Sequence, residues 1–126
     1  MNSHTLLWRQ IHPNFVREGE VSTQAFRPSN GKDLMSFHDG DQISAEAAWR
    51  RHTNDYGLQS IGVLSATVQE CEGEYVDVNL DGNPDPEHVS VSFERKSKGE
   101  RKTISKHLRD FALTRGWQVG PEEIGG

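Results

Sequence analysis

Oxygen-bearing side chains recur at alternate positions just before Gly82. Asp77, Asn79 and Asp81 supply two carboxylates and an amide, and Asp85 adds a further carboxylate. Calcium-binding loops place ligands in this way, because alternate residues of a tight loop converge on one hard cation. One hypothesis is therefore a calcium site that these four side chains form.

The end of this segment departs from the EF-hand calcium loop, which its beginning resembles. The eighth position, usually aliphatic, is Pro84, and the twelfth, usually a bidentate glutamate, is His88. The flanking residues alternate between apolar and polar, which is typical of strands, whereas helices flank an EF-hand loop. The alternative interpretation is that Asp77 and Asn79 point outward from a strand that ends in a polar turn.

A second set of polar residues lies near the ends of predicted strands in the first third of the chain. Arg9 and His12 close the first of these strands, and Ser36 lies at the end of the third. This order resembles that of ADP-ribosyltransferase-like folds, over half of the chain and without a diagnostic motif. The resemblance implies an enzyme in which Arg9 or His12, together with Ser36, holds NAD. A late glutamate, Glu87 or Glu94, would then act on the ribose.

His38 begins a turn that also contains Asp39 and Asp41. An imidazole beside carboxylates can serve in acid–base chemistry or in metal binding. The six histidines show no HExxH motif or similar ligand spacing, so the sequence gives little support to a zinc site. The alternative is that the turn is ordinary polar surface.

Cys71 is the only cysteine, which excludes an internal disulfide and a cysteine-based zinc cage. Its neighbours Glu70 and Glu72 disfavour the thiolate, so a nucleophilic role is not indicated. No apolar run approaches the roughly 18 residues of a membrane span. The N-terminus also lacks the pattern of a secretory signal. These features predict a soluble cytoplasmic protein.

Charge is separated along the chain, although the net charge is only −5. Residues 39–94 contain twelve acidic residues and two arginines, whereas residues 95–115 contain eight basic residues and two acidic ones. Basic residues concentrated on one helix can bind acidic or phosphate-bearing partners. The alternative is that the basic helix packs beside the acidic remainder of its own domain. The predicted partner-binding residues are Lys98, Arg101, Lys102, Lys106 and Arg109.

The residues from 60 to 68, SIGVLSATV, are apolar on both faces at strand spacing. This pattern predicts a strand at the centre of a sheet, with a covering layer on each side. Helical spacing and caps predict two helices, at about 44–54 and 103–115. The remaining strands are predicted at 5–11, 21–26, 34–37, 75–80 and 89–93, and the last two are expected to pair antiparallel.

Together these features predict a single α+β domain over residues 1–120, followed by a frayed tail at 121–126. Its sheet should have five or six mostly antiparallel strands. The leading hypothesis for function is a non-enzymatic interaction module without a cofactor, which binds a macromolecular partner through its basic C-terminal helix. A protein partner is favoured, with nucleic acid as the alternative. An NAD-handling enzyme and a calcium-binding loop protein remain the other hypotheses.

Overall fold

Antiparallel strands form the framework of the computed structural model, which describes residues 1–121. Five of the strands join in one sheet, in the order β5-β1-β4-β7-β6, and the other two form a separate ribbon, β2-β3. The prediction of an α+β domain with five or six mostly antiparallel strands is confirmed. The strands are β1 (Leu6–Gln10), β2 (Val16–Arg17), β3 (Glu20–Val21), β4 (Leu34–Asp39), β5 (Val63–Thr67), β6 (Asp77–Leu80) and β7 (His88–Ser92).

Three α-helices accompany the strands in this part of the chain. They are α1 (Ala45–Arg50), α2 (Val68–Gly73) and α3 (Lys98–Arg115). A π-helical turn, Arg51–Asp55, continues α1, and 3-10 turns occur at Pro13–Phe15 and Thr23–Phe26. None of the helices among residues 1–121 is long and apolar enough to cross a membrane.

Each face of the sheet has its own apolar cluster. On one face, Phe37 and Leu64 pack with Leu108 of α3 in the larger cluster. On the other face, Trp8 and Val63 pack with Ala48 of α1. The prediction that Ser44 begins the first helix is confirmed, because its hydroxyl accepts a hydrogen bond from the backbone N–H of Ala47 at 3.1 Å.

The segment predicted to form the central strand lies at the edge of the sheet, so that part of the prediction is wrong. Both faces of β5 are nevertheless buried, and Val63 and Leu64 have no exposed surface. Backbone hydrogen bonds from the C-terminal segment cover its outer edge: Val63 N donates to Val119 O, and Gln118 N donates to Val63 O. The apolar run at 60–68 therefore indicated correctly that both faces of the strand are buried. It did not indicate the position of the strand in the sheet, because helices can cover an edge strand as readily as an inner one.

Two helix starts carry a signal that the prediction overlooked. α3 begins at Lys98, not at 103, because Ser97 and Glu100 form a capping box. Thr67 and Glu70 form a second capping box at the start of α2, a segment for which no helix was predicted. One charged run continues directly into α3, and the other itself forms α2.

The predicted strand at 21–26 is also wrong. Only Glu20–Val21 forms a strand, and the following 3-10 turn buries Ala25 and Phe26 in the larger cluster. The tertiary contacts of these two side chains outweigh a weak local preference for strand. The tail predicted at 121–126 lies, apart from Pro121, outside the described residues.

Candidate functional site

A groove of about 1140 Å³ lies between the N-terminal end of α3 and the segments that precede β4. Its lining contains six basic residues and no acidic residue, and it also includes the apolar side chains of Phe15, Val16 and Pro28. Clefts lined by charge of one sign concentrate ligands of the opposite sign. The basic residues of this groove are Arg17, Arg27, Lys96, Lys98, Arg101 and Lys102.

The elements around the groove bring these basic residues together from three parts of the chain. Arg17 lies on β2, and Arg27 follows the 3-10 turn that precedes β4. The capping box at Ser97 starts α3 so that Lys98 and Lys102, which are four residues apart, lie on one face of the helix. Sequence reasoning identified only the α3 part, because no local pattern links the two arginines to the helix.

Arg101 contributes to the groove mainly as a structural residue. Its guanidinium donates hydrogen bonds to the carbonyl oxygens of Lys32 at 2.8 Å and Phe93 at 3.1 Å, and it forms an ion pair with Asp33 at 2.7 Å. These contacts fix the start of α3 against the segment that enters β4. Arg101 therefore fixes the position of the start of α3 beside the groove, and its charge is already partly compensated.

The other five basic residues of the groove have no such compensation. Among residues 1–121, none of them lies within 4.0 Å of a carboxylate oxygen. Arg17 donates one hydrogen bond to the side-chain oxygen of Gln24, which is uncharged. The groove thus holds positive charge that the surrounding chain leaves without a close counter-charge.

The structure divides the predicted partner-binding set. Lys98, Arg101 and Lys102 line the groove, whereas Lys106 and Arg109 lie further along α3 and do not line it. Arg109 pairs with its neighbour Asp110 at 2.9 Å. Lys106 and Arg109 therefore provide a natural comparison for the lysines of the groove.

A second polar group lies toward the other end of β4. His38, Asp85 and Glu87 each place one nitrogen or carboxylate oxygen within 4.8 Å of the others, and we call this group the His–Asp–Glu cluster. In the part of the chain that the structure describes, it is the only group of three or more histidine, cysteine or acidic side chains that meets this distance. Arg51, from the π-helical turn, pairs with Glu87 and lies 3.5 Å from Asp85.

The imidazole of His38 lies in an unusual environment for a histidine. Its Nδ1 atom is buried and has no hydrogen-bond partner in the structure. Burial, with smaller contributions from the positive charges of Arg51 and His88, lowers the pKa of His38 from 6.5 to about 4. At neutral pH the imidazole is therefore uncharged and keeps a lone pair for a proton or a metal ion.

Acid should destabilise the wild-type protein more than a His38→Gln variant, when both are measured with a chelator present. The unfolded chain binds a proton at this imidazole below about pH 6.5, whereas the folded protein resists protonation down to about pH 4. Neutral His38 thus contributes stability that is complete above pH 6.5 and declines as the pH falls through this window. Between pH 7 and pH 4, the wild type should lose about 1 to 3 kcal/mol more than the variant.

Urea denaturation at several pH values measures this difference. A His4→Gln variant serves as the control, because His4 is an exposed residue near the N-terminus. Its pH dependence should match that of the wild type. If the His38→Gln variant also matched the wild type, His38 would not be a source of the acid sensitivity.

The residues predicted to handle NAD have structural contacts and do not line the groove. Arg9 donates hydrogen bonds to the carbonyl oxygens of Ala25 at 2.7 Å and Ser36 at 3.1 Å. Its guanidinium also lies near the ring of Phe37, and burial lowers its pKa to about 10. His12 Nδ1 accepts a hydrogen bond from the backbone N–H of Asn14, and the carboxylate of Glu87 is held by Arg51. Arg9 therefore contacts Ser36 only at the backbone carbonyl oxygen of Ser36.

The four residues predicted to bind calcium are also used in separate contacts. Asp77 and Asn79 lie on β6, as the strand interpretation predicted. Asp81 accepts a hydrogen bond from Ser90 and lies 2.6 Å from His88 Nδ1, whereas Asp85 accepts a hydrogen bond from Tyr56 at 2.7 Å. The three aspartates do not meet the 4.8 Å distance that defines the His–Asp–Glu cluster.

Cys71 is buried, and burial together with the charges of Glu70 and Glu72 raises the pKa of its thiol to about 12. The direction agrees with the sequence argument, although burial contributes more than the neighbouring charges. The thiol is therefore protonated at neutral pH and is a poor nucleophile.

Comparison with models of known protein families, with curated proteins and with solved structures finds no match to this chain. The function is therefore inferred from the geometry and charge of the basic groove and of the His–Asp–Glu cluster.

Proposed function

We propose that this protein is a non-enzymatic interaction module that binds an acidic segment of a partner protein in the basic groove. The observation that carries the proposal is the charge of the lining, with six basic residues and no acidic one. Five of these residues have no carboxylate oxygen within 4.0 Å in the described chain. An acidic segment would supply the missing counter-charges, and electrostatic attraction would also speed its association.

The groove suits an acidic polypeptide better than a nucleic acid. Single-stranded nucleic acid is held by successive aromatic side chains, whereas Phe15 is the only aromatic residue of the lining. The ring of Phe15 also already has neighbours within the protein. The centre of the His12 ring lies 6.0 Å from the centre of the Phe15 ring, and the guanidinium carbon of Arg9 lies 5.6 Å from it. Outside the six basic residues of the groove, the chain has eight basic and nineteen acidic residues, a net charge of −11, and it would repel a long phosphate backbone.

The apolar part of the lining adds a second basis for recognition. Pro13, Val16 and Pro28 lie in the groove with Phe15, and they could contact apolar side chains between the acidic residues of the partner.

The protonated, unpaired thiol of Cys71 is compatible with a reducing compartment. We therefore place the interaction in the cytoplasm.

Removing both groove lysines in a Lys98→Ala/Lys102→Ala variant should weaken the binding of a fluorescent acidic peptide about tenfold. The probe is a twelve-residue peptide of alternating glutamate and leucine, measured by fluorescence anisotropy in 50 mM salt. Two solvent-exposed ion pairs contribute together about 1 to 2 kcal/mol, which corresponds to this change. Higher salt should weaken wild-type binding, because the contacts are screened.

The matched control is the Lys106→Ala/Arg109→Ala variant, which removes the same charge from the same helix outside the groove. It should change the affinity by less than about threefold, because its side chains do not contact the peptide. Equal loss in both variants would mean that the peptide responds only to overall charge, and the groove would not be the site. Tighter binding of a twelve-nucleotide oligothymidine than of the peptide would favour nucleic acid instead.

A further inference from the structure

The His–Asp–Glu cluster combines one imidazole with two carboxylates at a fixed place in the fold. His38 lies on β4 directly opposite His88 of β7, and Asp85 and Glu87 come from the loop that enters β7. Backbone hydrogen bonds fix this loop, because Asp39 N donates to Glu87 O at 2.8 Å and His88 N donates to Asp85 O at 2.9 Å. The three side chains are therefore held at one corner of the sheet.

From this arrangement we propose that His38, Asp85 and Glu87 bind a divalent first-row transition-metal ion such as Zn²⁺ or Mn²⁺. Imidazole nitrogen suits Zn²⁺ and related ions, and carboxylate oxygen suits both Zn²⁺ and Mn²⁺. Three protein ligands would leave further coordination positions for water or a small anion. The proposal is independent of the function proposed for the basic groove, which involves other residues.

The distances within the cluster are compatible with one shared ion. Ligand atoms that lie about 2.0 to 2.2 Å from the same metal are separated from each other by roughly 3 to 3.5 Å. The three candidate ligand atoms already lie within 4.8 Å of one another, so rotations of the carboxylates could bring them to bonding distance.

The charge balance of the cluster also favours a cation. Asp85 and Glu87 contribute two negative charges, and Arg51 contributes one positive charge. The carboxylate side chains are largely buried, with 15% of Asp85 and 8% of Glu87 exposed. Arg51 thus supplies one positive charge for two carboxylates, and beyond the hydrogen bond that Tyr56 donates to Asp85, a bound cation would offset the remaining negative charge in this poorly hydrated place.

A second observation concerns the imidazole of His38, which would supply the nitrogen ligand of the cluster. Its buried Nδ1 atom has no hydrogen-bond partner in the structure, although buried polar atoms nearly always have one. This feature separates the cluster from ordinary surface pairs of histidine and carboxylate. His107 and Glu74 form such a pair at 2.7 Å, and among residues 1–121 no third ligand lies near enough to join them.

Arg51 would compete with the metal for the same two carboxylates. Its guanidinium pairs with Glu87 and lies near Asp85, so a bound ion must displace it or share the carboxylates with it. The arginine therefore gives the proposal a specific consequence. Removing its charge should strengthen metal binding, whereas removing a ligand should weaken it.

Calorimetric titration of the chelator-treated protein with Zn²⁺ tests the ligand assignment. The wild type should bind one ion, and the His38→Ala and Glu87→Gln variants should each bind it about tenfold more weakly or worse. The control variant His107→Ala should keep the wild-type affinity. Mn²⁺ binding, followed by the loss of its free-ion electron paramagnetic resonance signal, should show the same order of variants.

The Arg51→Met variant gives the opposite prediction. Without metal it should melt at a lower temperature than the wild type, because two buried carboxylates lose their counter-charge. Added Zn²⁺ should raise its melting temperature more than that of the wild type, since the ion now supplies that charge. This comparison also remains informative if a ligand variant folds poorly.

Four results would contradict the proposal. The first is a wild-type titration with no binding at millimolar Zn²⁺ or Mn²⁺. The second is weak binding that the His38→Ala variant retains and the His107→Ala variant loses, which would indicate an adventitious surface ion only. The third is equal stabilisation of the wild type and the Arg51→Met variant by metal. A preference for Ca²⁺ over Zn²⁺ would also contradict a site that uses imidazole nitrogen.

Discussion

A Phe37→Ala variant is expected to unfold with a free energy about 4 kcal/mol below that of the wild type. Phe37 is fully buried on β4, the middle strand of the five-stranded sheet, and its ring lies 6.4 Å from that of Phe26. Truncation removes a large apolar group and leaves a cavity that the close-packed strands can fill only in part. The guanidinium of Arg9, 5.9 Å from the ring, would also lose an aromatic neighbour.

The same chemical change on α3 provides the control. Phe111 keeps 44% of its surface exposed, so a Phe111→Ala variant should lose less than about 1 kcal/mol. Urea denaturation followed by circular dichroism measures both free energies of unfolding. Losses of similar size in the two variants would contradict the placement of Phe37 in the core and of Phe111 at the surface.

A Gly62→Ala variant should be destabilised by about 3 kcal/mol, because the space beside Gly62 is already occupied. A Cβ atom at this position would overlap the carbonyl oxygen of Val119 and lie 2.9 Å from the ring of Trp117. The backbone carbonyl cannot rotate away as a side chain can, so the C-terminal segment must move. Its hydrogen bonds to Val63, which cover the outer edge of β5, would then weaken.

A Gly73→Ala variant is the matched control, since a Cβ atom at Gly73 has no heavy atom within 4 Å. Gly73 is the last residue of α2, and alanine there should leave the stability unchanged or raise it by up to about 1 kcal/mol. Hydrogen exchange at the amide of Val63 should become faster in the Gly62 variant alone. Wild-type stability in that variant would show that the C-terminal segment does not cover β5 in this way.

The two candidate sites lie toward opposite ends of β4, and sequence reasoning anticipated them to different degrees. The basic run on α3 revealed Lys98 and Lys102 directly, because charge is a local property of the sequence. It gave no sign that Arg101 would be used internally by Asp33 and three carbonyl oxygens. Whether a cation is free or paired depends on which distant acceptors the fold brings to it.

The His–Asp–Glu cluster illustrates the same limit more strongly. His38 and Glu87 are 49 positions apart in the chain, and each was considered for a different kind of chemistry. Pairing of β4 with β7 brings them together, and the π-helical turn adds Arg51. No spacing rule could reveal this group, because its members come from a strand and a distant loop, and its neighbour Arg51 comes from a helix extension.

Local patterns by themselves determined the class of the fold, the antiparallel pairing of β6 with β7, the cap at Ser44 and the basic character of α3. These features depend on neighbours within a few positions, where alternation, helical spacing and charge are visible in the chain. Tertiary structure alone decided that β5 lies at an edge, that two distant arginines join the lysines of the groove, and that an imidazole meets two carboxylates. The physical reason is that strand order and loop placement follow from how whole apolar faces pack together, and the same local pattern is compatible with many such arrangements.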